Sequence, residues 1–387
     1  MPQCKNALSG HPCTPWHLFL GCVLSLLTAC SFVGASPRPI QPYKLSPEGT
    51  TLEKSIAKKY SSLWNRAMLW VADRGIHLFT EPVHEEITHR IFGCQGDSDV
   101  CGDPNIGFAT PFVLAGVRWN DDPPFRLAEG EGRNTSCKIT ETIRFTTQPR
   151  CWAQLFRDAQ KKAIAGKPLD QTSRASLLAR SHFGDLQFLH SMASRDGEPA
   201  VETKQRIMMW AEFTWRVGRG DYGLETMLKD VNVARVEEFF GRSGWRVQDL
   251  LTLGNVALRP RVKEVALGSL LHMVEDSFAK GHVDRAEATM GARCTGAEEH
   301  LAPGRIREFH CYINQDTAKH GDYDSRQAFA QHWAADRPTV IDVGQELVEY
   351  YERGSAWEEV RPYLDCVFAL EDPESKASAG AGLGSDR

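Results

Sequence analysis

Apolar positions fall three or four residues apart along most of this chain, the repeat of one helix face rather than the alternation of a strand. The pattern predicts a helix over 52–75, ended by Gly75, and another from His84 to Phe92, where Glu85 and Glu86 suit the positive end of a helix dipole. Further helices are predicted in CWAQLFRDAQKKAIAG (from Cys151), TSRASLLARSHFGDLQFLHSMAS (from Thr172), AVETKQRIMMWAEFTWRVGRG (from Ala200) and LETMLKDVNVARVEEFFG (from Leu224). So are RPRVKEVALGSLLHMVEDSFAKG (from Arg259), SRQAFAQHWAAD (from Ser325) and VIDVGQELVEYYERG (from Val340). Residues 95–150 break the pattern with Gly, Pro, Asp and Thr and read as long loops. The expectation is an all-α, multi-helix protein with a single domain over 36–371, one dominant core and no internal repeat. Trp210, Phe213 and Trp215 are expected in that core. Residues 372–387, DPESKASAGAGLGSDR, are small, polar and Gly-rich, and are expected to be disordered.

The opening is patterned differently. WHLFLGCVLSLLTACSFVGA, from Trp16, is an apolar run behind Lys5, followed by small residues and Pro37: a signal-peptide layout over residues 1–35. Cys, Ser and Thr interrupt it, which argues against a permanent transmembrane helix. LTAC, Leu27 to Cys30, resembles a bacterial lipobox, in which Cys30 is cut and lipidated; cleavage at Ala35 is the competing reading. Either predicts an exported protein, secreted or anchored at the cell surface or outer membrane. Seven cysteines lie beyond Cys30. In an oxidising compartment near neighbours are expected to pair, Cys94 with Cys101, Cys137 with Cys151 and Cys294 with Cys311, leaving Cys366 over. None sits in a CxxC zinc pattern. Asn134 opens an NTS sequon, without meaning in a bacterial lipoprotein. The net charge of −5 gives no global basic footprint for a stable nucleic-acid partner, although a local basic cleft is compatible with it.

The stretch LGSLLHMVEDSFAKGHVDR changes the picture. Its apolar residues mark a buried helix, yet His272 and Asp276 lie four apart on one face and His282 follows just past Gly281. A single His–Asp pair of this kind is ordinarily a buried imidazole with its acceptor. Here the theme repeats: KHGDYD carries His320 and Asp324, VHEEITHRIF opens with His84, GVRWNDDPP carries Asp121 and Asp122, and RSHFGDLQF carries His182 and Asp185. Nitrogen and carboxylate donors on several helices suit zinc held in a bundle core.

Four of these stretches resemble a superfamily, the zinc-dependent phospholipases C and the S1/P1-type nucleases. LHMVEDSFAKGH is similar to its His-x3-Asp-x5-His signature, SHFGD to its His-Phe-x-Asp segment, RWND to its Trp-x-Asp, and HEEITHRIF to the early helix opening on a ligand histidine. The resemblance spans roughly residues 77–335, and the order of the motifs matches throughout. It implies an all-α fold with long loops near a metal cleft holding up to three zinc ions. Asp121, His182, His272 and Asp276 would hold one, Asp276 would bridge to a second shared with His84, and His282, His320 and Asp324 would hold the third.

Three departures stand out. The family donates a processed N-terminal amine to the second zinc; here residues precede that point, and His77 is the expected replacement. The interval between Asp121 and His182 is long and includes Cys137 and Cys151. His310, in FHCYIN, also suits the family's fifth histidine, but its i+4 partner is Asn314, so His320 with Asp324 is preferred. His190 is expected in the core or behind a ligand, and His89 and His332 are expected to do no chemistry. The resemblance implies phosphodiester hydrolysis by a zinc-activated hydroxide, with Asp121 the catalytic carboxylate. Net negative charge leans the substrate towards a phospholipid head group at a membrane surface rather than the single-stranded nucleic acid of an S1/P1-type nuclease. A zinc-binding surface protein without catalysis is the remaining class.

Overall fold

The computed structural model describes residues 44–46, 49–56, 81–127, 135–167, 169, 177–296, 300–335 and 337–384. The stretch expected to be a signal peptide, with Cys30 and Ala35, together with His77, Asn134 and most of the helix expected over 52–75, lies outside these residues. The principal helices are α1 (Thr51–Ile56), α2 (Val83–Ile91), α3 (Pro111–Asp121), α4 (Pro149–Ile164), α5 (Leu177–Phe183), α6 (Ala200–Arg219), α7 (Val262–Asp276), α8 (Thr317–Tyr323), α9 (Arg326–Ala335), α10 (Val340–Glu352) and α11 (Trp357–Val367). The sheet is minor: β1 (Val283–Arg285) pairs antiparallel with β2 (Ile306–Phe309). The class is all-α. Among the described residues no helix is long and apolar enough to cross a membrane.

The centre of the molecule is the crossing of α3 and α7. Helix α7 is apolar nearly all round and buried from Val265 to Asp276, as a helix surrounded by others must be. At the crossing Gly116 faces Gly268. A Cβ on Gly116 would lie 2.0 Å from the Val265 carbonyl oxygen, and one on Gly268 would lie 2.0 Å from that of Val113. Only two glycines let the backbones approach this closely. Asp121 follows five residues beyond one of them, and His272 and Asp276 four and eight beyond the other, so the contact sets the spacing of the site. Helix α6 packs on the same pair. Its Trp210 stacks on Trp119 with ring centres 5.4 Å apart, and Trp210, Phe213 and Trp215 are all buried.

Several expectations change. Residues 95–150, expected as long loops, contain α3, whose start is fixed by the Thr110 cap and Pro111 and whose residues Val113 to Asp121 are buried. The stretch from Thr172 is not one helix: α5 stops at Phe183, a 3-10 turn covers Gln187–His190, and Ser191 takes a left-handed φ of 52°. The stretch from Leu224 breaks into a 3-10 turn, Leu228–Asp230, and one turn of helix, Val236–Phe240. Helix α11 escapes the apolar pattern because Pro362 lies inside it and reads as a break.

The segment expected to be a disordered tail is packed. Ala377 and Leu383 are buried, Ser378 bridges to His310 and Gly384 bridges to Gln315. Small residues there allow close approach to the chain beneath, which composition alone reads as lack of structure. The third disulfide joins Cys294 to Cys366 rather than to Cys311; the other two are Cys94–Cys101 and Cys137–Cys151. Cys311 is a buried free thiol. It lies just beyond β2, where its N–H donates to the Ser378 carbonyl over 2.8 Å, whereas the end of α11 brings Cys366 to Cys294.

Candidate metal centre

Asn120 shows how sequence becomes site. Its amide donates to the Leu189 carbonyl at 2.7 Å and its oxygen accepts from the Ser269 hydroxyl at 2.6 Å, which in turn accepts from the Trp210 indole at 3.1 Å. One buried amide thus ties α3 to α7 and to the 3-10 turn. The residue after Asn120 is Asp121 and the residue after Leu189 is His190, and the two side chains meet with Oδ1 3.7 Å from Nδ1.

Four groups of donor atoms, three of them linked by shared residues and each with its atoms within 4.8 Å of one another, can hold metal ions among the described residues. They are Asp121 with His182 and His190; His190 with His272 and Asp276; His84 with His272 and Glu275; and His282 with His320 and Asp324. Asp276 stands at the middle. Its Oδ2 lies 2.9 Å from His190 Nδ1 and 3.0 Å from His272 Nε2, while its Oδ1 lies 3.4 Å from His84 Nε2. At the far end, His320 Nε2 lies 2.8 Å and His282 Nε2 3.9 Å from oxygens of Asp324. All these side chains are buried.

The imidazoles are aimed by their other nitrogens. His182 Nδ1 donates to the Leu178 carbonyl (3.1 Å), and His282 Nδ1 donates to the His190 carbonyl (2.7 Å). His84 Nδ1 faces Glu275 Oε2 at 2.5 Å, and Glu275 also accepts from the Thr88 hydroxyl at 2.8 Å. Such bonds choose the tautomer that turns Nε2 inward.

Several of the inward atoms make no hydrogen bond within the protein. His182 Nε2, His190 Nε2, His282 Nε2, Asp276 Oδ1 and both oxygens of Asp121 and Asp324 are buried without a hydrogen bond. Leaving each such atom unsatisfied costs about 1–3 kcal/mol, so their convergence fits divalent cations better than it fits a core. Titration behaviour agrees. Burial holds His272 and His320 down to about 3 and His182 well below the ordinary imidazole value, with neighbouring imidazoles adding to this at His272 and His182, so their lone pairs are available at neutral pH. Burial also pushes the carboxyls of Asp121 and Asp324 well above the usual range, and the charge of Asp276 adds to this. Asp276 is itself desolvated, but His282 and His272 hold it well below. Bound cations would hold all three ionised.

The site gathers His84, Asp121, His182, His272, Asp276, His282, His320 and Asp324. Other nearby candidates are used elsewhere. Asp122 accepts from the Phe145 N–H at 2.9 Å and is pushed by burial up to about 6. Asp185 makes a two-pronged pair with Arg180, at 2.8 and 2.7 Å. His310 is in none of the four groups; its Nδ1 lies 3.1 Å from the Gly281 carbonyl oxygen. Two donors were missed in the sequence. His190 reads in the sequence as a core residue or one behind a ligand, because the turn that re-aims it after Gly184 leaves no mark in helical periodicity. Glu275, adjacent to Asp276, carried a signal only in that adjacency. No model of a known family matches the chain, and neither a curated protein nor a solved structure matches it.

Proposed function

We propose that this protein is a zinc-dependent phosphodiester hydrolase of the phospholipase C and S1/P1-nuclease superfamily, acting as a phospholipase C on a phospholipid head group. The observation that carries the reading is the convergence of buried imidazole nitrogens and carboxylate oxygens, unbonded within the protein, from α3, α5, the 3-10 turn, α7 and α8. Asp121, His182, His190, His272 and Asp276 would hold one zinc, with Asp276 shared towards a second at His84, and His282, His320 and Asp324 would hold a third. Zinc bound there would supply a water acidified towards neutral pH and positive charge to offset that on the phosphoryl oxygens. The protein's share is orientation and proton handling. Glu275 fixes His84, the His190 and Leu178 carbonyls fix His282 and His182, and Asp121 takes a proton from the attacking water. The three disulfides suit an oxidising compartment and support export.

The test strips the protein with a strong chelator, restores zinc, and assays phosphatidylcholine vesicles and single-stranded DNA in parallel. The reading expects vesicle hydrolysis lost on stripping and regained with zinc, and no comparable cleavage of DNA. Hydrolysis that survives exhaustive stripping, or zinc-loaded protein inert on both substrates, contradicts it.

A further inference from the structure

Tyr312 opens a 3-10 turn, Tyr312–Asn314, and belongs to none of the donor groups. It is fully buried, and its hydroxyl has no hydrogen-bond partner in the protein. A buried phenol ordinarily finds one. The ring sits among the imidazoles, with centre-to-centre distances of 5.2 Å to His320, 5.9 Å to His282 and 6.4 Å to both His182 and His190. The ring therefore lies beside imidazoles of both the Asp121–His182–His190 group and the His282–His320–Asp324 group.

The placement is braced on several sides. The Tyr312 N–H donates to Gln187 Oε1 at 3.1 Å, at the start of the turn that carries His190. The preceding N–H, of Cys311, donates to Ser378 in the packed C-terminal segment, and the His310 carbonyl accepts from Ala193, both at 2.8 Å. Backbone fixed this firmly, carrying an O–H without a partner, resembles a preformed contact for something that enters. The ligand set offers lone pairs to cations, whereas a phenol at neutral pH offers a proton to an anion.

We propose that Tyr312 is a substrate-contacting residue whose hydroxyl donates a hydrogen bond to a non-bridging oxygen of a phosphate ester held at the cluster. This rests on the phosphodiesterase reading, and the ligand class is an anionic phosphoryl group rather than the lipid or nucleoside attached to it. A tyrosine kept for packing makes the opposite prediction, because Phe would replace it without effect on ligand binding.

The experiment compares Tyr312→Phe with wild type by zinc per chain, melting temperature of the zinc-stripped protein, calorimetric binding of inorganic phosphate to the zinc-loaded protein, and kcat and KM on phosphatidylcholine vesicles. Zinc content and melting temperature are expected to match wild type, because the hydroxyl is bonded to nothing in the protein. Phosphate binding is expected to weaken about tenfold, the loss of one hydrogen bond to a charged group. The fall in kcat is expected to be roughly 100-fold, the loss of a donor to developing charge. Reduced zinc would make Tyr312 a metal ligand, and a lowered melting temperature would make it structural; either overturns the proposal. Unchanged phosphate binding, or wild type that binds no phosphate, also overturns it. Wild type that binds phosphate more tightly than the variant but leaves vesicles intact would sustain Tyr312 and remove the phospholipase reading.

Discussion

Arg118 and Asp121 lie one turn apart on the same helix, both fully buried and both among charged neighbours, yet they stand in opposite states. The Arg118 guanidinium donates to Glu85 at 2.6 Å, to Glu53 at 3.2 Å and to the Ser46 carbonyl at 2.8 Å. Glu53 in turn accepts from the Thr50 N–H at 2.8 Å, and Glu85 from the Ser46 N–H at 3.0 Å. That network fastens Ser46 and the stretch from Thr50 to Glu53 to α2 and α3 with bonds the chain makes to itself. Asp121 faces His182 and His190, and neither of its oxygens is bonded. Buried charge is tolerated when the protein supplies counter-charge and donors. Where it does not, something from outside is required. The same helix therefore carries a structural clamp on one turn and half of a binding site on the next.

The sharpest way to break this comparison is to remove each charge. Arg118→Met leaves the buried Glu85 without a counter-charge and Glu53 with only the more distant Arg144, 3.8 Å away, and should cost about 3–5 kcal/mol of unfolding free energy in urea, with or without added zinc. Asp121→Asn should cost the zinc-stripped protein nothing measurable and should lower zinc content. A stripped Asp121→Asn protein that loses as much stability as Arg118→Met would erase the distinction.

Gly116→Ala tests whether the helix crossing sets the site. Its Cβ meets backbone rather than a movable side chain, so overpacking should cost roughly 3 kcal/mol. Zinc content should fall as Asp121 moves away from His272 and Asp276. Full zinc content with unchanged stability would show that the glycine contact is dispensable.

His89 gives the smallest effect and a sign that can be worked out. It lies five residues beyond His84 on α2, and its Nδ1 accepts from the Ala109 N–H at 3.0 Å. Burial lowers its pKa to about 4, and the Asp103 carboxylate only partly offsets this. The unfolded chain takes up a proton near 6.5, whereas the folded one resists until about 4. The contribution is therefore fully present above about 6.5 and is lost as pH falls towards 4. The loss should be at most about 2 kcal/mol after allowing for screening. Urea titrations at pH 7 and pH 4.5 should show a flatter dependence in His89→Gln than in wild type. Equal slopes would place the acid sensitivity elsewhere.

Much of this was legible in the chain. The i, i+4 pairs His272/Asp276 and His320/Asp324 could be read because helical spacing puts both donors on one face, and each pair does converge. His84 could be read because it opens a helix with acidic residues behind it. His190 could not be read, because it is aimed by the break after Phe183 and by the amide of Asn120, which is a tertiary contact. Tyr312 stayed hidden for a similar reason: nothing local distinguishes a tyrosine in a turn from one in a core. The Cys294–Cys366 bridge spans 72 residues, so nearness in sequence favoured the wrong partner, Cys311. The C-terminal segment shows the limit of composition. Ala377 and Leu383 are held by backbone bonds to neighbours that no local pattern announces.

The most direct measurement is anomalous diffraction at the zinc edge from crystals grown with zinc. The account predicts strong peaks about 2.0–2.2 Å from His182 Nε2 and an Asp121 oxygen, and from His282 Nε2 and an Asp324 oxygen, with a further peak beside Asp276 Oδ1. Crystals of zinc-loaded protein with no peak among these atoms, or with zinc bound only at surface residues, would contradict it.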